Sequence, residues 1–229
     1  MGVVYNFFMN IKETKIIRSS RKSLALTITP DATLIVKAPN LVPRFLINAF
    51  IRNQEEWIQT QLKKLEKRPV ALPKSYTSGE IFLFLGMELE LEYAEVTDVV
   101  VKDGKLLFPK GLEFRAQKQL LAWYKIQARQ IISQQVEDFA AQMKASYTSL
   151  TFSDTKTQWG SCTHDNKLQF SWRLVMTPIT VLNYVVIHEL AHTTEKNHSR
   201  KFWELVNKYC PSYNRQRKWL KEQGNTLVV

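Results

Sequence analysis

Residues 185–203 read VVIHELAHTTEKNHSRKFW. His188 and His192 are four apart, so on a helix they lie one turn apart on one face. Both imidazoles then point at a single metal ion. Val185, Val186, Ile187, Leu190 and Ala191 make that helix a buried one, and a buried histidine pair needs a partner that a metal supplies. Glu189 adjoins the first of the pair but sits off their shared face, where it reaches a water on the metal rather than the metal itself.

A catalytic zinc keeps three protein ligands and one open position. His198 is six residues past His192, too far to extend the same helical face. The spacing predicts that the helix ends near Thr194 to Lys196, with Asn197 in a left-handed turn that swings His198 back to the metal. Of the four histidines in the chain, only His164 lies elsewhere, in a polar turn, as a surface residue. Cys162 reads as a strand or turn residue. The His192–His198 spacing equals that of the metzincins, but their pattern has Gly where this chain has Glu195. They also have a later methionine turn, and no Met follows Met176. Glu204 and Glu222 are the acidic alternatives as third ligand, less well placed than His198.

Working outward, Pro178 suits the first turn of the motif helix. Ser199 caps the next helix, and Pro211 begins the last. Upstream, SLTFSDT (149–155) and KLQFSWRLV (167–175) read as strands, with THDN (163–166) as a turn. Residues 113–146 form a long helix with Leu120, Trp123, Tyr124, Ile131, Val136, Phe139 and Met143 on one broad face. Short strands are expected at 80–84, 87–94, 96–101 and 105–108, and Asp103-Gly104 between apolar runs marks a hairpin. Leu24, Leu26 and Ile28 alternate up to a turn at Pro30-Asp31, and ATLIVKAP (32–39) returns as a second strand. The period changes at Pro43 to that of one helix running to about Lys67, followed by a connector at 69–74. The apolar N-terminal residues read as a strand docked on the core. The expected fold is α+β: a β-rich portion, 1–110, and a helix-rich catalytic half, 111–229.

At 229 residues, 45% hydrophobic and 23% charged, the chain suits one or two globular domains. No apolar run reaches the roughly 20 residues needed to span a bilayer, and no secretory leader is recognisable. Two cysteines make no disulfide framework, so a reducing, cytoplasmic setting is expected. The net charge of +11 permits a polyanionic partner, nucleic acid or nucleotide, or simply solvated helix faces, as at Lys63, Lys64, Lys67 and Arg68 or Arg215, Arg217, Lys218 and Lys221. Phe202, Trp203 and Tyr209 are spaced helically and read as core.

TQWGSCTHDNKLQFSWRLVMTP (157–178) followed by YVVIHELAHTTEKNHSRKFW (184–203) resembles the YgjP-like metallopeptidase family, also described as DUF45 or predicted metal-dependent hydrolases. It is similar in motif to the WLM and SprT-type zinc proteases. IIRSSRKSLALTITPDATLIVKAP (16–39), EEWI (55–58) and SGEIFLFLG (78–86) share the resemblance, which covers nearly the whole chain. The family commonly has Arg before WGSC, where this chain has Gln158. The resemblance implies a zincin-like catalytic half with Zn2+ on His188, His192 and His198, and with Glu189 as general base. It also implies that the strand 167–174 is an edge strand binding extended peptide by its backbone. Trp159, Gly160 and Ser161 either line the approach to the site or form a tight turn with Trp159 in the core.

Three functions follow. The first is a zinc peptidase acting on a peptide or protein. The second is hydrolysis of a nucleotide such as UTP, an activity attributed to a YgjP-type relative. Against it, the chain has no Walker-type glycine loop and no dense carboxylate cluster for magnesium. The third is a DNA-associated protease or binding module with a structural metal. A structural zinc site is normally closed by four ligands, and no nucleic-acid motif is present.

Overall fold

The computed structural model describes residues 11–29, 31–66, 73–156 and 158–229. Two compact units emerge, 1–68 and 69–229, and the described residues form two apolar cores.

The first unit holds β1 (Glu13–Ser19), β2 (Ala25–Ile28), β3 (Thr33–Pro39), α1 (Arg44–Asn53) and α2 (Glu55–Glu66). β2 and β3 pair antiparallel, as the alternation predicts, while β1 adds to the other side of β3 in parallel. Leu34, Val36 and Ala38 alternate inward from β3 and meet Ile47 and Ile51 of α1 and Ile58 and Leu62 of α2. The expected single helix breaks at Gln54, whose φ of −105° and ψ of 15° leave the helical region. The break lets each half aim its own apolar pair at the sheet. The N-terminal strand expected within residues 1–10, the helix end at Lys67 and most of the 69–74 connector lie outside the described residues.

The second unit opens with β4 (Ile81–Phe84), β5 (Met87–Ala94), β6 (Val100–Lys102) and β7 (Lys105–Pro109), in the order β4-β5-β7-β6. Leu85-Gly86 and Asp103-Gly104 both have positive φ at each residue, the mirror-image turn that matches strand twist in two-residue hairpins. A 3₁₀ turn, Glu113–Arg115, leads into α3 (Ala116–Met143). This helix buries Ala116, Leu120, Tyr124, Ala128, Ile132, Val136 and Ala140, a stripe of strict four-residue spacing narrower than the face expected from the sequence. Small Ala at every third step lets neighbours approach closely. Phe82, Phe84, Leu89, Leu91, Leu106 and Phe108 share one core with this stripe and with the C-terminal helices. The Tyr124 hydroxyl also donates to the Leu83 carbonyl at 2.8 Å. The four-stranded sheet thus belongs with the C-terminal half, and the division falls at 68/69 rather than at 110.

Next come β8 (Ser149–Ser153), β9 (Gly160–Cys162) and β10 (Lys167–Ser171), then a 3₁₀ turn, Trp172–Met176, and α4 (Ile179–Ala191), α5 (Arg200–Tyr209) and α6 (Tyr213–Gln223). The small sheet runs β8-β10-β9, with β10 parallel to β8 and antiparallel to β9. β10 is therefore the central strand, not the edge expected, and it stops at Ser171 instead of continuing to Leu174. Pro178 is the residue before α4, Ser199 caps α5 by accepting the Phe202 N–H, and α6 starts at Tyr213, two residues past Pro211. The chain is α+β. Among the described residues no helix is long and apolar enough to cross a membrane.

Asp154, just past β8, fixes the approach to α4. It accepts the Trp172 indole N–H at 2.8 Å and pairs with Arg173 at 2.6 Å and Lys125 at 3.3 Å. Burial acts to raise its pKa, but these hydrogen bonds prevail and hold it at about 2. Because the folded pKa is depressed, the stabilisation is present above the ordinary value of 3.8 and is lost as pH falls toward about 2. Asp154→Asn is therefore expected to be less stable than wild type at neutral pH. Denaturant titrations at stepped pH should show that difference closing through this acid window; a difference independent of pH would assign the effect to packing.

Candidate metal centre

α4 carries Tyr184 and His188, and His192 caps its C-terminus, so the three stand at successive i, i+4 positions. The helix proper ends at Ala191, earlier than expected, and a tight turn follows: the Thr194 and Glu195 N–H groups both return to the Ala191 carbonyl. His198 comes back to the cluster as predicted, but Asn197 is not among the positive-φ residues. The chain turns instead through that tight turn and a Ser199 N–H to Asn197 carbonyl bond of 2.7 Å. Lys196 ties this segment to the turn after β9, donating to the Thr163 carbonyl and the Asn166 side chain.

The three histidines each offer a ring nitrogen, all within 4.8 Å of one another. The Nε2 atoms of His188 and His198 stand 3.1 Å apart. Tetrahedral coordination at zinc–nitrogen distances of about 2.0–2.1 Å separates ligand nitrogens by roughly 3.3 Å, so the cluster is of the right size. Protonation states agree. His192 Nδ1 lies 3.0 Å from the Glu195 carbonyl, an acceptor only, so Nδ1 carries the proton and Nε2 is bare. Burial, then the nearby His192, His198 and Arg217, hold His188 down to about 3, so it is neutral at pH 7, as a ligand must be. His188 Nδ1 is buried without a hydrogen-bond partner. Position 195 contributes its backbone carbonyl to the His192 ring.

Phe202 is the floor of the cluster. It is fully buried, stacks on His192 at 4.4 Å and lies 4.9 and 4.8 Å from the His188 and His198 rings. Trp203 stacks on His198 at 5.6 Å. The helical spacing of these aromatics predicts core, and Phe202 is core; its contact with all three imidazoles had no separate signal in the sequence.

Glu189 is only 6% exposed, and burial pushes its carboxyl up to about 8. β9 lies directly against it: a Cβ added at Gly160 would stand 2.6 Å from Glu189 Cγ and 2.8 Å from Oε1. Only glycine allows this approach, and a lone glycine in a strand is the sequence sign of such a contact. Of the three residues expected near the approach, Gly160 is the one beside Glu189. Side chains alternate along a strand, so Ser161 faces the opposite side. Trp159 packs on the C-terminal turn, where a Cβ at Gly224 would lie 2.7 Å from Trp159 Cζ2. Gly160→Ala is expected to displace the Glu189 carboxyl and leave the histidines alone. A misplacement near 1 Å costs on the order of 10²-fold in rate. Turnover assays with metal analysis check this, and wild-type turnover would show that Glu189 tolerates the shift.

β9 has one partner. The Ser171 N–H donates to the Trp159 carbonyl and the Thr163 N–H to the Lys167 carbonyl. By antiparallel alternation, the backbone groups of Gly160 and Cys162 therefore point away from β10, toward an edge with no strand beside it among the described residues.

No curated protein matches the sequence. A solved structure, the metallopeptidase zymogen abylysin of Pyrococcus abyssi, is similar at 19% identity over 40% of this chain and 95% of that one, with a TM-score of 0.36. The model of the YgjP-like metallopeptidase domain matches residues 22–223, which takes in both units and every residue of the histidine cluster: the chain belongs to the YgjP-like metallopeptidase family.

Proposed function

We propose that the protein is a zinc peptidase in which His188, His192 and His198 hold the ion and Glu189 is the general base. The observation that carries the reading is the convergence of three imidazoles beside the buried side chain of Glu189. An imidazole set suits zinc, whereas magnesium takes oxygen ligands. Zinc held there would acidify its water and polarise the scissile carbonyl. Glu189 takes a proton from the attacking water and delivers it to the departing amine. Its enclosure by Gly160 fixes the carboxylate against the β9 edge and keeps bulk water away. The outward N–H and C=O groups of Gly160 and Cys162 receive an extended peptide as an added strand. That places a peptide bond next to Glu189, which makes β9 the substrate edge in place of 167–174. The zincin-like character of the C-terminal half follows from this arrangement.

Metal analysis of the purified protein, followed by profiling on peptide and unfolded-protein libraries and on nucleoside triphosphates, tests the reading. One zinc per chain and peptide cleavage that is lost with a chelator and restored by zinc are expected. UTP hydrolysis with every peptide left intact would overturn it.

Polyanion contact, on the same reading, is electrostatic and non-specific. Residues 1–68 hold twelve Lys and Arg against five Asp and Glu. Binding to mixed-sequence DNA should fall linearly on a log–log plot as salt rises. Tight, sequence-selective binding at high salt would contradict this.

A further inference from the structure

We infer that Arg217 is a specificity-determining residue that anchors a substrate carboxylate near the scissile bond; the inference rests on the peptidase reading of the histidine site. Tyr213 and Arg217 are one turn apart on α6, and both lie on Trp203 of α5. The Tyr213 ring stacks on the indole at 5.1 Å, and the guanidinium stands 5.4 Å from the indole centre. The same indole stacks on His198 at 5.6 Å and lies 5.8 Å from His188. Arg217 is thus one aromatic ring away from two of the three histidines.

The guanidinium is exposed and has no hydrogen bond or ion pair among the described residues. Neighbouring cations on the same two helices do: Arg200 pairs with Glu204, and Lys218 with Glu222. On the same wall Tyr184 is 5% exposed, its ring 5.8 Å from His188, and its hydroxyl makes no hydrogen bond among the described residues. A permanently charged planar fork set over the Trp203 ring, with its donors free, matches a carboxylate in two-point geometry. An extended peptide advances about 3.3 Å per residue, so an acid two or three residues from the cleaved bond spans the interval from the histidines. An acidic side chain and a C-terminal carboxylate present the same chemistry here.

The test uses zinc-loaded Glu189→Gln protein, so that binding is read without turnover. Three fluorescent octapeptides share one neutral sequence: one ends in an amide, one ends in an amide and carries Asp on both sides of its centre, and one ends in a free carboxylate. Fluorescence anisotropy should show one acidic probe binding about tenfold or more tightly than the neutral one, the scale of a charge-assisted hydrogen bond. Which acidic probe is preferred identifies the source of the carboxylate. Adding Arg217→Gln should remove the preference while leaving zinc content and neutral-probe affinity unchanged, and Arg217→Glu should reverse it. Equal binding of all three probes, or a preference that survives Arg217→Gln, overturns the inference. Cleavage of the probes by wild-type protein tests the peptidase reading separately. An Arg217-dependent preference without cleavage would keep the anchor and discard the peptidase.

Discussion

Glu189→Gln is expected to retain its metal and its fold and to lose at least about 10²- to 10⁴-fold in turnover, the range that general-base catalysis typically contributes. Glutamine has nearly the same shape as glutamate, so it fits the space that Gly160 leaves beside position 189. It can hydrogen-bond a water there but cannot accept its proton. The fold should tolerate the change, because burial in this position already disfavours the charged form and raises the carboxyl to about 8. A neutral amide removes that cost. Turnover on a cleaved peptide, zinc content and circular dichroism decide the matter together. Zinc lost with the fold intact would make Glu189 a ligand or a support for one. Unchanged turnover would remove the carboxylate from the mechanism.

The centre of the site was legible because it is local. His188 and His192 report their shared face through spacing alone, and Ser199 announces the helix that presents Phe202. Asp103-Gly104 likewise fixed a hairpin without any distant information. What sequence reading missed depends on partners far along the chain. The parallel pairings β1 with β3, β5 with β7 and β8 with β10 leave no turn signature, since only antiparallel neighbours can be joined by a tight turn. The demotion of β10 from edge to centre follows from one of them together with β9. β9 itself is three residues long, too short for alternation to register. The division of the chain was misplaced for a related reason: the turn-rich stretch 80–109 looks like the strands before it, but its phenylalanines and leucines pack against α3. The break at Gln54 is invisible to periodicity because both halves keep the helical period.

His198→Ala is expected to bind zinc far more weakly than wild type. Removing an outer hydrogen-bond partner of a ligand typically costs about 10- to 100-fold in metal affinity, and removing a ligand should exceed that. His198 is also the exposed member of the three, where His188 and His192 are half-buried. It sits on the segment between α4 and α5, held by Lys196 on one side and the Ser199 cap on the other. Truncation there leaves the helices and the Phe202 floor in place, so lost metal is not explained by lost fold. The His188 and His192 nitrogens remain, and two imidazoles alone hold zinc poorly at pH 7. Titration with a competing chromophoric chelator gives the affinity, and circular dichroism confirms the fold. A full complement of zinc at wild-type affinity would exclude His198 as a ligand. Glu204, which faces Arg200 on the next helix, would then be the residue to replace, and the site would be of the type that takes its third ligand from a downstream carboxylate.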